Sequence, residues 1–192
     1  MTMLRSLKII ISLALLLGAT AVIAEPVVNY TYHYYTATAK HASELRAALN
    51  EASPVHEDGR AFHAYTKWYV NWHFYWNRRE ASCEMTSVST DVAVDYTLPQ
   101  FQPAAGADAD VQQRFDNYYR ALFTHEQGHA QHGIDAAHEV ERSLMQMAGW
   151  SCDTITEDAN RRAREILGKY NRMDVDYDRD TEHGRTQGAV LP

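Results

Sequence analysis

The sequence has no cluster of lysine and arginine, and its one marked apolar run is too short to span a bilayer comfortably. The densest basic group, Arg161, Arg162 and Arg164, is surrounded by Glu157, Asp158 and Glu165, the pattern of a solvated helix face. Over 192 residues, 25 acidic side chains outnumber 18 basic ones, for a formal charge of −7. Such a balance speaks against nucleic acid or an anionic lipid surface as a partner, since both are held by positive charge. The apolar run extends from Ile9 to Leu17, well short of the roughly 20 residues a transmembrane helix requires. Arg5 and Lys8 precede it, and small residues lead from it to Val22-Ile23-Ala24. This is the layout of a secretory signal peptide cleaved after Ala24. No cysteine stands near that point, so a lipid anchor is not indicated. Removal of residues 1–24 leaves residues 25–192 with 16 basic and 25 acidic residues, a net charge of −9. The expectation is one exported domain, periplasmic or secreted, with no stable membrane insertion and a flexible tail after about residue 184.

Cysteine is equally scarce. Cys83 and Cys152 are the two in the chain, and an even count in an exported protein predicts one disulfide. Closing so long a loop contributes about 3–4 kcal/mol on the chain-entropy account. Internal repeats and low-complexity linkers are absent, and no proline falls between Ala104 and Gly149. That leaves a long segment free to be helical.

Val27 to Ala39 is rich in tyrosine, threonine and valine, which suits a strand. His41 to Ala52 reads as a short helix closed before Pro54, and Glu57-Asp58-Gly59 as a turn. From Thr66 to Trp76, large apolar residues alternate with polar and tyrosine residues, so the tryptophans share one face of a long strand. Core packing is the first expectation for that face. Cys83 to Leu98 alternates again until Pro99, predicting a second strand paired with the first as an antiparallel hairpin or meander. A helix is expected from about Val111 to Met147, bending near Gly133. A further one is expected from Thr156 to about Lys169, followed by an irregular polar tail from Asp174. The expected class is α+β: a small antiparallel sheet, a long helix and a second helix.

Inside the long helix stands His125-Glu126-Gln127-Gly128-His129. Residues four apart lie one above the other on a helix face, so the two imidazoles can hold one zinc ion. The intervening glutamate can then serve as general base on a metal-activated water. Residues 121–131 carry no charge except Glu126, as a helix beneath a cleft requires. Gly128 costs about 1 kcal/mol of helix propensity relative to alanine, and its bare Cα lets another part of the chain approach closely. Zinc peptidases with this motif share the order of sheet, active-site helix and second helix. A catalytic zinc has three protein ligands and an open position, so two cysteines added to the histidines would make a closed, structural site instead.

The third ligand has several candidates. Asp135 has the spacing of a metzincin ligand, but His132 occupies the position where that pattern has glycine. His132 and Glu139 lie too far along the helix axis, at about 1.5 Å of rise per residue. Glu157 and Glu165 suit a glutamate ligand on a separate helix. His183 sits in Tyr177-Asp178-Arg179-Asp180-Thr181-Glu182-His183-Gly184.

The aromatic strand from Trp68 to Trp76, Cys83, Thr97-Leu98-Pro99, the H-E-x-G-H segment, Cys152 and the terminal Y-D-x-x-T-x-H-G together resemble a bacterial family of secreted zinc-dependent proteases. That family is catalogued as a domain of unknown function, and its protease activity is itself a prediction. The resemblance runs from the first strand to Gly184, and the terminal motif is its specific part. It implies that His183 belongs to the site and ranks it first as third zinc ligand, ahead of Glu157 and Glu165. The expected mechanism is peptide-bond hydrolysis with Zn2+ on His125, His129 and His183 and with Glu126 as base. Tyr177 is either an oxyanion donor or an anchor for the tail, and Asp178 or Asp180 orients a ligating imidazole. The expected partner is a peptide or protein substrate. The competing expectation is a non-enzymatic periplasmic binding or structural protein with a zinc site; Glu126 argues against it, since a structural site has no use for a base.

Overall fold

The computed structural model describes residues 25–192; the expected signal peptide, residues 1–24, lies outside them. In chain order the elements are β1 (Val27–Ala37), α1 (Leu45–Ala52), β2 (Val55–Glu57), β3 (Arg60–Phe62), β4 (Tyr65–Arg79), β5 (Ser82–Phe101), α2 (Val111–Met145), β6 (Ala148–Trp150) and α3 (Ile155–Thr181). Among the described residues, no helix is long and apolar enough to cross a membrane.

The alternating aromatic segment and the one after it form the antiparallel pair β4–β5, in register from Tyr65 opposite Thr97 to Arg79 opposite Ser82. β1 lies on the other side of β5 and runs parallel to it, Val27 opposite Asp91 through Ala37 opposite Phe101. The fold is α+β as expected, with a mixed sheet of order β1-β5-β4 and the short β6 beside the start of β5. β4 and the 27 residues of helix, hairpin and loop before it lie between β1 and its parallel neighbour β5 in the chain, which leaves room for the crossover that such a pair needs. β2 and β3 form a separate two-stranded hairpin, turned at Asp58-Gly59, where both residues have positive φ of 49° and 73°.

One face of the sheet carries the core. Val88, Thr90, Val92, Val94, Tyr96 and Leu98 of β5 are buried at every second position, beneath α2. Glu141 of α2 is buried there too, its Oε1 accepting from Thr90 Oγ1 at 2.8 Å; burial pushes its carboxyl pKa up. The tryptophans of β4 pack on this core and are tied to α3 by their indole N–H groups. Trp68 donates to Asp174 Oδ2 at 2.6 Å, Trp72 to Asn160 Oδ1 at 2.9 Å and Trp76 to Thr156 Oγ1 at 3.2 Å. Each ring thus partly buries its apolar body and satisfies its polar edge. The side of α1 that bears Leu45 and Leu49 is fully buried.

α2 has 35 residues, a rod of roughly 50 Å at 1.5 Å per residue. It continues through Gly133, where a Cβ would stand 2.7 Å from Cγ of Trp68, so this glycine admits the indole. α3 extends well past the end expected near Lys169 and takes in the polar segment from Asp174 to Thr181. Its apolar stripe stops at Tyr170, but Asp174, Tyr177 and Asp178 continue the same face and are held by α2. Cys83 and Cys152 form the expected disulfide, joining the start of β5 to the segment before α3 across 69 residues.

Candidate metal centre

α2 presents His125, Glu126 and His129, all buried, to the floor of a cavity of about 760 Å³. The opposite wall is the last part of α3, and the start of β4, the β2–β3 hairpin, Arg46 of α1 and the segment after α3 complete the lining. The two helices each offer a pair of residues four apart: His125 and His129 from α2, Asp174 and Asp178 from α3. That spacing places each pair on one helix face.

Three donor atoms converge. His125 Nε2 and His129 Nε2 are 3.3 Å apart, and Asp178 Oδ1 lies 3.0 Å from the first and 3.1 Å from the second. Zinc–ligand bonds of about 2.0–2.2 Å in a tetrahedron place neighbouring donors roughly 3.3 Å apart. The triangle therefore has the size of one face of such a site, and the His/His/Asp set can hold a metal ion. Its charge balance agrees. Burial disfavours an imidazolium, yet hydrogen bonds to Asp174 and Asp178 outweigh it and carry the His129 pKa up to about 10. Burial likewise opposes ionisation of Asp178, but the His125 and His129 hydrogen bonds hold its carboxyl well below the usual range. The two carboxylates thus favour positive charge between the histidines.

Glu126 is 4 % exposed, and its Oε2 accepts from Thr66 Oγ1 of β4 at 2.6 Å. Burial pushes its pKa up, against the Thr66 hydrogen bond and the two histidines. Gly128, on the turn between the histidines, meets Tyr177 of α3: a Cβ there would overlap the phenol. Tyr177 uses that space to stack on His125 at 4.9 Å and to meet His129 edge-on at 5.1 Å. Its hydroxyl accepts from Gln187 Nε2 at 2.9 Å.

His183 lines the same cavity, with Nδ1 3.2 Å from Asp178 Oδ1 and its ring edge-on to Phe62 at 5.0 Å. It stands beside the converging triad; among the described residues, the groups able to hold a metal are His125/His129/Asp178 and His129/His132/Asp174. Asp135 is bonded by Gln131, Glu139 by Lys169 and Tyr170, and Glu165 lies near Arg161. None of these three, nor Glu157, lines the cavity. Asp180 pairs with Arg179.

Four residues at the site went unread or were read differently in sequence: Thr66, Asp174, Asp178 and Gln187. Asp178 already stood in the terminal motif, and Asp174 and Asp178 repeat the four-residue spacing of His125 and His129. Thr66 and Gln187 gave no such signal, because their positions depend on the sheet and on the fold of the C-terminal turn.

Fold and site define an α+β protein with a buried His/Asp cluster able to hold a metal ion at the base of a cleft. The chain belongs to the family described as "Bacterial protein of unknown function (DUF922)", matched over residues 32–184. That span covers both helices of the site and ends at Gly184. No curated protein matches the chain, and no solved structure matches it.

Proposed function

We propose that the protein is an exported zinc-dependent hydrolase acting on peptide bonds. The observation that carries this reading is the convergence of His125 Nε2, His129 Nε2 and Asp178 Oδ1 within 3.0–3.3 Å of one another, at the floor of an open cleft with the Glu126 carboxyl buried alongside. These three residues are the proposed ligands, with Asp178 in the role that the family resemblance assigns to His183. When bound, the metal supplies Lewis acidity, which acidifies water and polarises a carbonyl. Glu126 takes a proton at its carboxylate and returns it to the leaving amine. Burial raises its basicity for that task, and Thr66 holds Oε2 in place. Tyr177 orders the His125 ring by stacking and the His129 ring by edge-on contact, and His183 stands at the cleft wall. The disulfide, the signal-like segment and the acidic surface support a periplasmic or secreted setting.

The test combines metal content with turnover. Elemental analysis of the purified protein should give about one zinc per chain, lost in Asp178→Ala and kept in His183→Ala. Glu126→Gln should keep its zinc while hydrolysis of dye-labelled casein falls by roughly 10²–10⁴-fold; hydrolysis at the parent rate would sink the mechanism. Zinc lost in His183→Ala but kept in Asp178→Ala would return the third position to His183. A zinc that cannot bind acetohydroxamate would favour the non-enzymatic reading, since that requires a fourth protein ligand in place of the open position.

A further inference from the structure

We infer that Asp174 and Gln187 are positioning residues that set the tautomer and ring orientation of the two motif histidines, an inference that rests on the metal-site reading above. Each imidazole has one nitrogen in the triad and the other against an acceptor supplied from beyond α2. His129 Nδ1 lies 2.9 Å from Asp174 Oδ1. A carboxylate only accepts, so that nitrogen carries the proton and Nε2 is left for the metal. Asp174 is clamped at both oxygens: His132 Nδ1 reaches Oδ1 at 2.7 Å, and Trp68 Nε1 donates to Oδ2 at 2.6 Å. Hydrogen bonds from His129, His132 and Trp68 hold its pKa low against burial. The clamp extends from the sheet through α3 to the motif helix, because Gly133 leaves room for the Trp68 ring.

His125 is served by the chain after α3. Glu182, His183 and Gly184 all have positive φ, of 51°, 51° and 82°, and they turn the backbone sharply back toward α2. Gly184 then passes His125 so closely that a Cβ would stand 3.0 Å from that of the histidine. The 3-10 turn at Arg185–Gln187 follows and brings Gln187 Oε1 to 3.0 Å from His125 Nδ1. Thr181 Oγ1 is 3.3 Å from the same nitrogen and gives its own proton to the Tyr177 carbonyl at 2.6 Å, so its oxygen faces His125 as an acceptor. Leu191 is 4 % exposed, and its carbonyl accepts from Arg46 at 2.9 Å, tying the end of the chain to α1. The C-terminal segment is thus the support of one ligand, as α3 and β4 are of the other. Partners of this kind typically alter metal affinity by 10–100-fold.

The experiment measures zinc affinity by chelator competition, with the Co2+ absorption spectrum as a second reading of ligand geometry. Asp174→Ala and Gln187→Ala should each weaken zinc binding about 10–100-fold and alter the cobalt spectrum. The conservative variants Asp174→Asn and Gln187→Glu, which keep an accepting oxygen, should recover most of the loss. Trp68→Phe keeps the ring on Gly133 and removes only the N–H; it should weaken binding several-fold even if Asp174→Ala fails to fold. Parent affinity in Gln187→Ala and Trp68→Phe would overturn the proposal. So would losses that simply track the melting temperature of the metal-free variants. A parent protein that binds no zinc would overturn it together with the functional reading, whereas zinc bound by parent and variants alike would overturn the positioning roles alone.

Discussion

Gly128 shows at the residue scale how the motif is adapted to this fold. A solvent-facing glycine inside a helix normally gains about 1 kcal/mol on replacement by alanine. Here the added methyl would overlap the Tyr177 phenol, which stacks on His125 and meets His129 edge-on. Gly128→Ala should therefore lower stability by about 1–3 kcal/mol, the usual cost of overpacking, measured as the shift in urea unfolding free energy. A gain in stability would show that Tyr177 yields without cost. The motif glycine was legible in sequence as a point of close approach, but the partner was not, because Tyr177 lies 49 positions further along the chain.

At the scale of elements, α3 has two halves held by different forces. Ile155, Ala159, Ala163, Ile166 and Tyr170 bury an apolar stripe, and periodicity marks that half in the sequence. From Asp174 to Thr181 the same face is polar, and its contacts are the α2 histidines and Trp68. Reading hydrophobic spacing ends the helix at about Lys169 for that reason: the period persists while its chemistry changes from apolar to acidic. A ligand that binds only the folded site stabilises what forms the site. Amide exchange in residues 171–181 should therefore slow by at least tenfold on saturation with zinc, with little change in residues 155–166 beyond any global stabilisation. Equal slowing in both halves would show that α3 opens as one unit.

At the scale of the whole molecule, the disulfide and the metal centre are separate devices. Cys83 is fully buried where β5 begins, and Cys152 is bonded to it just before α3. Neither residue lines the cleft. The double variant Cys83→Ala/Cys152→Ala should lose about 3–4 kcal/mol of unfolding free energy and retain the parent zinc stoichiometry. Loss of zinc in a variant that is still folded would tie the two devices together.

Local order in the chain determined the α+β class, the β4–β5 pairing, the disulfide partners and the glutamate and two histidines on one helix turn. Each follows from a short period or spacing, or from having only two cysteines to join. Tertiary structure alone decided that β1 lies parallel to β5, that Asp178 converges on the histidine nitrogens, and that Asp174, Gln187 and Thr66 support the site. Those outcomes depend on where distant segments meet. A strand can pair on either edge, and an aspartate on a polar helix looks solvated until a second helix brings two imidazoles to within 3.0 and 3.1 Å of its carboxylate.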